Sequence, residues 1–172
     1  TDVPLTELGF LQAERAAETL KHIPIHATFC SALMRAWDTQ QTILKILGSQ
    51  AAMLPSYRSA ALNERDYGAL TGMNKQEAAD TYGKSQVQTW RRSYHDKPPQ
   101  GESLANTRER VIQYYNTQIQ PRCTEGDHVM IVAHGNSLRA LVGHLLGYTA
   151  RDFQHIEIAW CCPWVLDFSG SV

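Results

Sequence analysis

Along this chain apolar positions occur either in short unbroken runs or at intervals of three and four residues, and the two patterns take turns. The run Val129-Met130-Ile131-Val132-Ala133, opened by His128, is apolar enough for a strand covered on both faces, as in a parallel sheet. It breaks at His134-Gly135-Asn136-Ser137, after which Leu138, Leu141, Val142, Leu145 and Leu146 keep helical spacing up to Gly147. The pattern predicts strand, tight turn and helix, with His134 at the carboxyl end of the strand. Ligands of open α/β sheets bind there, because turn amides and the positive end of the helix dipole point into the crevice. Gly135 lets the backbone come close to a ligand, and Asn136 or Ser137 can cap the helix. On this turn alone, a solvated loop histidine beside an ordinary cap explains the pattern equally well.

The same alternation runs from the start. Pro4 keeps residues 1–5 out of helix, and Thr6 can cap a helix whose Gly9, Ala13, Ala16, Ala17 and Leu20 form a small-residue face suited to close packing on a sheet. Residues 26–30 read as a short strand. Ser31 then caps a helix with Ala32, Ala36, Trp37, Ile43, Leu44 and Leu47 facing a core, ended by Gly48. Residues 51–72 are irregular, broken by Pro55, Gly68 and Gly72. Asn74 caps a helix to about Tyr82, and a second helical segment covers residues 85–94. Pro98-Pro99-Gln100-Gly101 makes a rigid turn, and Ser103 caps a helix to Gln120 that Pro121 stops. A short helical piece at 149–155 and a strand at 164–168 complete the chain. Strands alternating with helices predict one three-layer α/β domain over residues 1–172, a mainly parallel sheet with helices on both faces.

Length and composition narrow the function classes. At 172 residues, 43% hydrophobic and 19% charged, the sequence suits one globular domain with a substantial core. A formal net charge of −1 argues against nucleic acid as the main partner, and no apolar run reaches membrane-spanning length. Cys30, Cys123, Cys161 and Cys162 lack zinc spacing, and the adjacent pair is poorly placed for a disulfide framework, which favours a reducing, cytoplasmic setting. The chain opens at Thr1 without a methionine, so the absence of a signal peptide carries no weight.

Candidate chemistry gathers in three places besides the His134 turn. Arg35 lies in a helix's first turn just beyond a strand, where a cation opposes the helix dipole unless an anion joins it. Leu62-Asn63-Glu64-Arg65-Asp66-Tyr67-Gly68 packs carboxylates, donors and an aromatic hydroxyl into an irregular loop, although a salt-bridged surface turn explains a lone Glu-Arg pair as well. Lys75, Arg91 and Arg92 add cations. Adjacent arginines do not share a helix face, so an ordinary solvated helix end also accounts for that pair. Arg35, Lys75, Arg91 and Arg92 with His134 would together suit a small polyanion such as a bisphosphate or phospho-carboxylate. No aspartate cluster marks a magnesium site, so side chains alone would neutralise the charge.

These stretches together resemble the cofactor-dependent phosphoglycerate mutases of the histidine phosphatase superfamily. The resemblance rests on residues 62–68, Asn74-Lys75, Trp90-Arg91-Arg92-Ser93-Tyr94, Pro98-Pro99 followed by Gly101-Glu102-Ser103-Leu104, and residues 133–141 from Ala133-His134-Gly135 to Leu141. It extends from Pro4-Leu5-Thr6-Glu7-Leu8-Gly9 to the last predicted strand. It implies interconversion of 3-phosphoglycerate and 2-phosphoglycerate in glycolysis and gluconeogenesis through a phosphohistidine, primed by 2,3-bisphosphoglycerate and needing no metal. By the same comparison Glu64 is the general acid and base, and His134 a protonated donor to phosphoryl oxygens. Arg35, Arg65, Asp66, Tyr67, Lys75, Arg91, Arg92, Gly135 and Asn136 fall at substrate-binding positions. The implied partners are small phosphorylated metabolites, with assembly as a homodimer or homotetramer, and neither nucleic acid nor membrane.

Two departures stand out. The family's Arg-His-Gly, which carries the nucleophilic histidine on the first strand, is absent, and His22, His26, His95, His128, His144 and His155 lie in none of its contexts. The resemblance therefore implies a fold lacking its first strand, with a strand and loop of roughly twenty residues missing. Ala159-Trp160-Cys161-Cys162-Pro163 replaces a small, glycine-containing turn, and Trp160 is expected to crowd the cleft. A phosphatase of the same superfamily, or an inactive phosphate-binding or structural chain, are the competing readings.

Overall fold

A computed structural model describes residues 2–150, 152 and 156–167. At its centre the strand β1 (Ala27–Ser31) has all five residues buried, because it is flanked on both sides by parallel partners, β2 (Ser56–Ser59) and β3 (Val129–Val132). Phe29 stands opposite Tyr57 on one side and Ile131 on the other. The order β2-β1-β3 leaves β3 as an outer strand, and its residues are correspondingly less buried than those of β1.

Helices cover both faces, as the alternation predicts. On one face lie α1 (Glu7–Leu20) and α2 (Met34–Leu47), where Ala13, Ala16 and Ala17 let α1 sit close to Ile43, Leu44 and Met130. On the other, α6 (Leu104–Tyr114) and α8 (Gly135–Leu145) bury Val111, Ala140 and Leu141 against Ala27 and Phe29. Period-two alternation along the strands explains the division: Ile131 joins the second cluster and Met130 the first. Between β1 and α6 the chain forms α3 (Ser49–Ala52), α4 (Lys75–Tyr82) and α5 (Lys84–Arg92), the last two closing a small cluster of Leu70, Ala78 and Val87. Asn74 caps α4 and Ser103 caps α6, both in reciprocal capping boxes. No helix among the described residues is long and apolar enough to cross a membrane.

Several expectations need correction. The stretch read as irregular contains β2, whose Ser-Tyr-Arg-Ser sequence is mostly exposed at a sheet edge and so carries no apolar signal. Pro121 does not stop a helix at Gln120. A π-turn (Tyr115–Ile119) precedes it, and Pro121 sits in the first turn of α7 (Gln120–Thr124), where a missing N–H costs little. Ser31 does not cap α2: it closes β1, and the carboxylate of Asp2 accepts from the Met34 amide instead (2.7 Å). Residues 164–167 join no strand among the described residues, and Phe168 lies outside them. The helical piece at 149–155 falls mostly outside them too. Trp160 is 83% exposed rather than crowding the cleft, and Cys161 beside it takes a left-handed φ of 48°. That backbone conformation favours glycine, which gives a local reason for a glycine-containing turn there.

Candidate active site

Helices α2 and α8 both begin just beyond the carboxyl ends of adjacent parallel strands, so two helix amino termini converge on one crevice. Ser31, the last residue of β1, and His134, two residues beyond β3 and the N-cap of α8, meet there. His134 is buried, and its Nε2 lies 2.7 Å from Ser31 Oγ. The Ser31 hydroxyl donates to Asn63 Oδ1 (2.8 Å) and accepts from the Leu33 amide (3.1 Å). Burial pushes the imidazole pKa down to about 4, helped by the cationic Arg35 and Arg110 and opposed by Asp2. In the ligand-free site His134 is therefore a neutral imidazole at pH 7, not the protonated donor expected from the resemblance. An anion between it and Arg35 would offset that repulsion.

Glu64 reaches the same place from the other side. Its Oε1 accepts from the Asn136 amide in the first turn of α8 (3.2 Å) and from the adjacent Arg65 amide (2.7 Å). A carboxylate at a helix amino terminus is favoured by the dipole and by unpaired N–H groups. Asn136 also donates through Nδ2 to Tyr67 Oη (3.3 Å), so one residue of the His134 turn contacts both functional groups of the Glu64 loop. The loop is held from behind by Arg110, whose guanidinium donates to the carbonyls of Ala61 (2.8 Å), Asn63 (3.0 Å) and Glu64 (3.1 Å) and pairs with both oxygens of Glu102. Glu102 in turn accepts from the Asp66 amide (3.1 Å), and its Arg110 pair helps hold its carboxyl below the usual range against the cost of burial. Behind Tyr67 the loop crosses residues 99–101 so closely that a Cβ on Gly68 would lie 2.2 Å from the Pro99 carbonyl oxygen. With φ at 49°, Gly68 admits no other residue without strain.

A cleft of about 490 Å³ opens beside these groups, lined among others by Arg35, Asn63, Glu64, Asp66, Tyr67 and Arg91. Arg91 lies over the Tyr67 ring, 5.8 Å from its centroid. The remaining positions from the sequence divide. Arg65 reaches the cleft wall, but it is 2% exposed, and its guanidinium donates to the carbonyls of Glu102 (2.8 Å) and Trp90. Its Nη1 is buried without a hydrogen-bond partner, so Arg65 shapes the wall and secures the end of α5 instead of offering an open contact. Asp66 turns one carboxylate oxygen onto the Gly68 amide (2.8 Å). Lys75 and Arg92 are exposed and do not line this cleft. Gly135 is exposed at the head of α8, and a Cβ there would meet only Glu64 Oε2 at 3.8 Å, so protein packing does not itself demand a glycine. A larger recess of about 680 Å³, lined by Tyr148, Asp152, Ile156, Glu157 and Trp164, holds none of this chemistry.

Sequence reasoning missed Ser31, Asn63, Glu102 and Arg110 as parts of the site. Asn63 and Glu102 lie inside the motifs that carry the family resemblance. Ser31 reads as a cap, and Arg110 as one more charged helix residue.

Known proteins share this fold. The sequence matches the histidine phosphatase superfamily (branch 1) over residues 1–172. It is 44% identical over 172 residues to the 2,3-bisphosphoglycerate-dependent phosphoglycerate mutase of Cytophaga hutchinsonii, covering 100% of this chain and 79% of that protein. The enzyme of the same name from Methylorubrum populi is 47% identical over 166 residues, covering 95% and 77%. Among solved structures, a mycobacterial glucosyl-3-phosphoglycerate phosphatase complexed with VO3 superposes with a TM-score of 0.72 at 27% identity, covering 90% of this chain and 75% of that one. An Escherichia coli protein described as a putative alpha-ribazole-5'-P phosphatase shares the fold, with a TM-score of 0.76 at 23% identity over 94% and 76%.

Proposed function

Because the chain belongs to the histidine phosphatase superfamily, branch 1, we propose that it serves the interconversion of 3-phosphoglycerate and 2-phosphoglycerate. The observation that carries the reading is the convergence of Glu64, His134 and Asn136 at the head of α8, beside a cleft walled by Arg35 and Arg91. Relatives at 44% and 47% identity that bear the mutase name support it.

In this reading Arg35 and the α8 amino terminus bind the phosphoryl group, and Arg91 binds a second anionic group of the substrate. Glu64 moves the proton on the substrate oxygen, its carboxylate held by two amides, and His134 stabilises charge on the phosphoryl oxygens. This reading assigns the phosphoryl-accepting role to none of the histidines of this sequence. Among the chain's own, His26 and His128 stand at the far, amino-terminal ends of the strands. The residues present fit 2,3-bisphosphoglycerate: separate cations stand on the cleft wall, and side chains supply the neutralising charge. When bound, that cofactor supplies the priming phosphoryl group. The cytoplasm suits a glycolytic role, and homodimeric or homotetrameric assembly belongs to the same proposal. A phosphatase acting on another phosphorylated metabolite is the second reading. It is favoured by one observation: Lys75 and Arg92, which the mutase reading assigns to substrate, do not line the cleft.

Calorimetric titration separates the two. 3-Phosphoglycerate is expected to bind at least tenfold more tightly than inorganic phosphate, because its carboxylate gains Arg91. Equal affinities would favour the phosphatase reading. Incubation of residues 1–172 with radiolabelled 2,3-bisphosphoglycerate is expected to leave no acid-labile phosphate on the protein. Stoichiometric labelling of any of its histidines would overturn that part of the reading.

A further inference from the structure

The hydrogen bonds around Ser31 can be counted proton by proton. Asn63 Oδ1 accepts from the Ala32 amide (2.9 Å), which fixes it as the carbonyl oxygen of its side chain, with no proton to give. The Ser31 hydroxyl lies 2.8 Å from that oxygen, so its single proton points to Asn63. The serine oxygen then has only lone pairs left, and two groups approach them: the Leu33 amide at 3.1 Å and His134 Nε2 at 2.7 Å. At 2.7 Å two lone pairs would repel, so Nε2 must carry a proton and donate it. His134 is a buried ring at the N-cap of α8.

We propose that Ser31 and Asn63 are positioning residues for His134, holding its neutral ring as the Nε2–H tautomer and so leaving Nδ1 as the nitrogen that takes up a proton when an anionic ligand charges the ring. The arrangement resembles in logic a metal site's outer shell, where the partner of one ring nitrogen decides what the other can do. The tautomer stands on the protein's own hydrogen bonds. That the ligand is a phosphoryl group rests on the function proposed above.

Asn63 is the pivot. Without its oxygen the serine proton is released and can turn to the imidazole, so Asn63→Ala should convert the ring toward the Nδ1–H form. Ser31→Ala should leave both tautomers populated, while Ser31→Thr, which keeps a hydroxyl, should restore the single Nε2–H form. The test is long-range nitrogen-15 NMR of His134 in the ligand-free 172-residue chain, which distinguishes a protonated from a bare ring nitrogen. The unsubstituted chain decides the matter even if a variant does not fold: an Nε2–H signature is expected, and an Nδ1–H signature or an even mixture would overturn the proposal. Orthovanadate is then added as the phosphoryl probe. A shift of the Nδ1 resonance with Nε2 little changed is expected. A change at Nε2 with Nδ1 constant would overturn Nδ1 as the nitrogen that gains the proton. No change at either nitrogen would instead overturn the placement of His134 at the anion site, leaving the ligand-free tautomer as a separate result.

Discussion

The two ends of the sheet hold nearly the same residue types and put them to different use. At the amino-terminal ends of the strands, His26, His128, Asp127, Arg122 and Tyr57 form a connected group. His26 Nδ1 accepts from the His128 amide (2.9 Å) and stands 3.7 Å from Asp127, whose other oxygen pairs with Arg122 (3.0 Å). Arg122 also donates to Tyr57 Oη (2.6 Å). At the carboxyl-terminal ends, His134, Glu64, Arg35, Arg110 and Tyr67 repeat the inventory of imidazole, carboxylate, guanidinium and phenol. The difference is what surrounds them. His26 and Asp127 are substantially solvated, with side chains 47% and 31% exposed, whereas His134 is 8% exposed. The first group satisfies itself through exposed pairs, which contribute little. The second is partly satisfied by helix amino termini and backbone, and a cleft opens beside it. Residue types alone therefore do not make a site; parallel strands that launch helices do.

That contrast predicts a difference in acid sensitivity, the largest effect expected here. A histidine whose folded pKa is about 4 against an ordinary 6.5 binds its proton first in the unfolded chain. Stability should thus fall as the pH drops from 6.5 toward 4, by about 3 kcal/mol at 1.36 kcal/mol per pKa unit. Urea denaturation across that range should show the slope in the parent and in His26→Gln, and lose most of it in His134→Gln. An unchanged slope in His134→Gln would mean the ring is not held neutral by its surroundings.

The guanidiniums of the two ends should also differ. Arg110→Met removes one ion pair and three contacts to loop carbonyls, leaving the Glu102 carboxylate without its cation. Breaking a fully buried pair costs roughly 3–5 kcal/mol, and about a quarter of each side chain is exposed here, so about 2 kcal/mol is expected. Arg122→Met at the solvated end should cost less than about 1 kcal/mol. Denaturation midpoints at pH 7 measure both, and equal losses would erase the distinction.

How much of this was legible beforehand follows from which contacts are local. Capping residues announced α1, α4 and α6, because Thr6, Asn74 and Ser103 act on amides two or three positions away. Short strand-like runs announced β1, buried between two partners, and the apolar β3. β2 stayed hidden because an edge strand of Ser-Tyr-Arg-Ser needs no apolar face. Within the site, Glu64, His134, Arg35 and Tyr67 came from motifs, and the structure brings them to one crevice. The supporting shell did not, since Arg110 meets the Glu64 carbonyl across 46 positions and Ser31 meets His134 across 103. No periodicity encodes such pairs. Arg65 shows the converse: it sits in the motif and lines the cleft, and only the structure shows its guanidinium donating to the carbonyls of Glu102 and Trp90.

Ligand affinity gives a smaller and more selective contrast. Arg91→Ala should weaken 3-phosphoglycerate binding by about tenfold, since Arg91 is exposed and its contact falls at the low end of the roughly 1.5–3 kcal/mol of a charge-assisted hydrogen bond. Arg92→Ala and Lys75→Ala, which lie outside the cleft wall, should stay within about twofold. Calorimetry on the three variants orders them. A loss at Arg92 matching that at Arg91 would mean that the segment ending α5 closes over the ligand.

The central claim is that the carboxyl-terminal end of the sheet, and not the chemically similar amino-terminal end, binds the anionic substrate. Titrating the isotopically labelled chain with 3-phosphoglycerate while following its backbone amides tests this most directly. Saturable shifts are expected at Arg35, Glu64, Gly135 and Asn136, with His26, Arg122 and His128 unmoved. Shifts centred on His26, Arg122 and His128, or none at the head of α8, would contradict it.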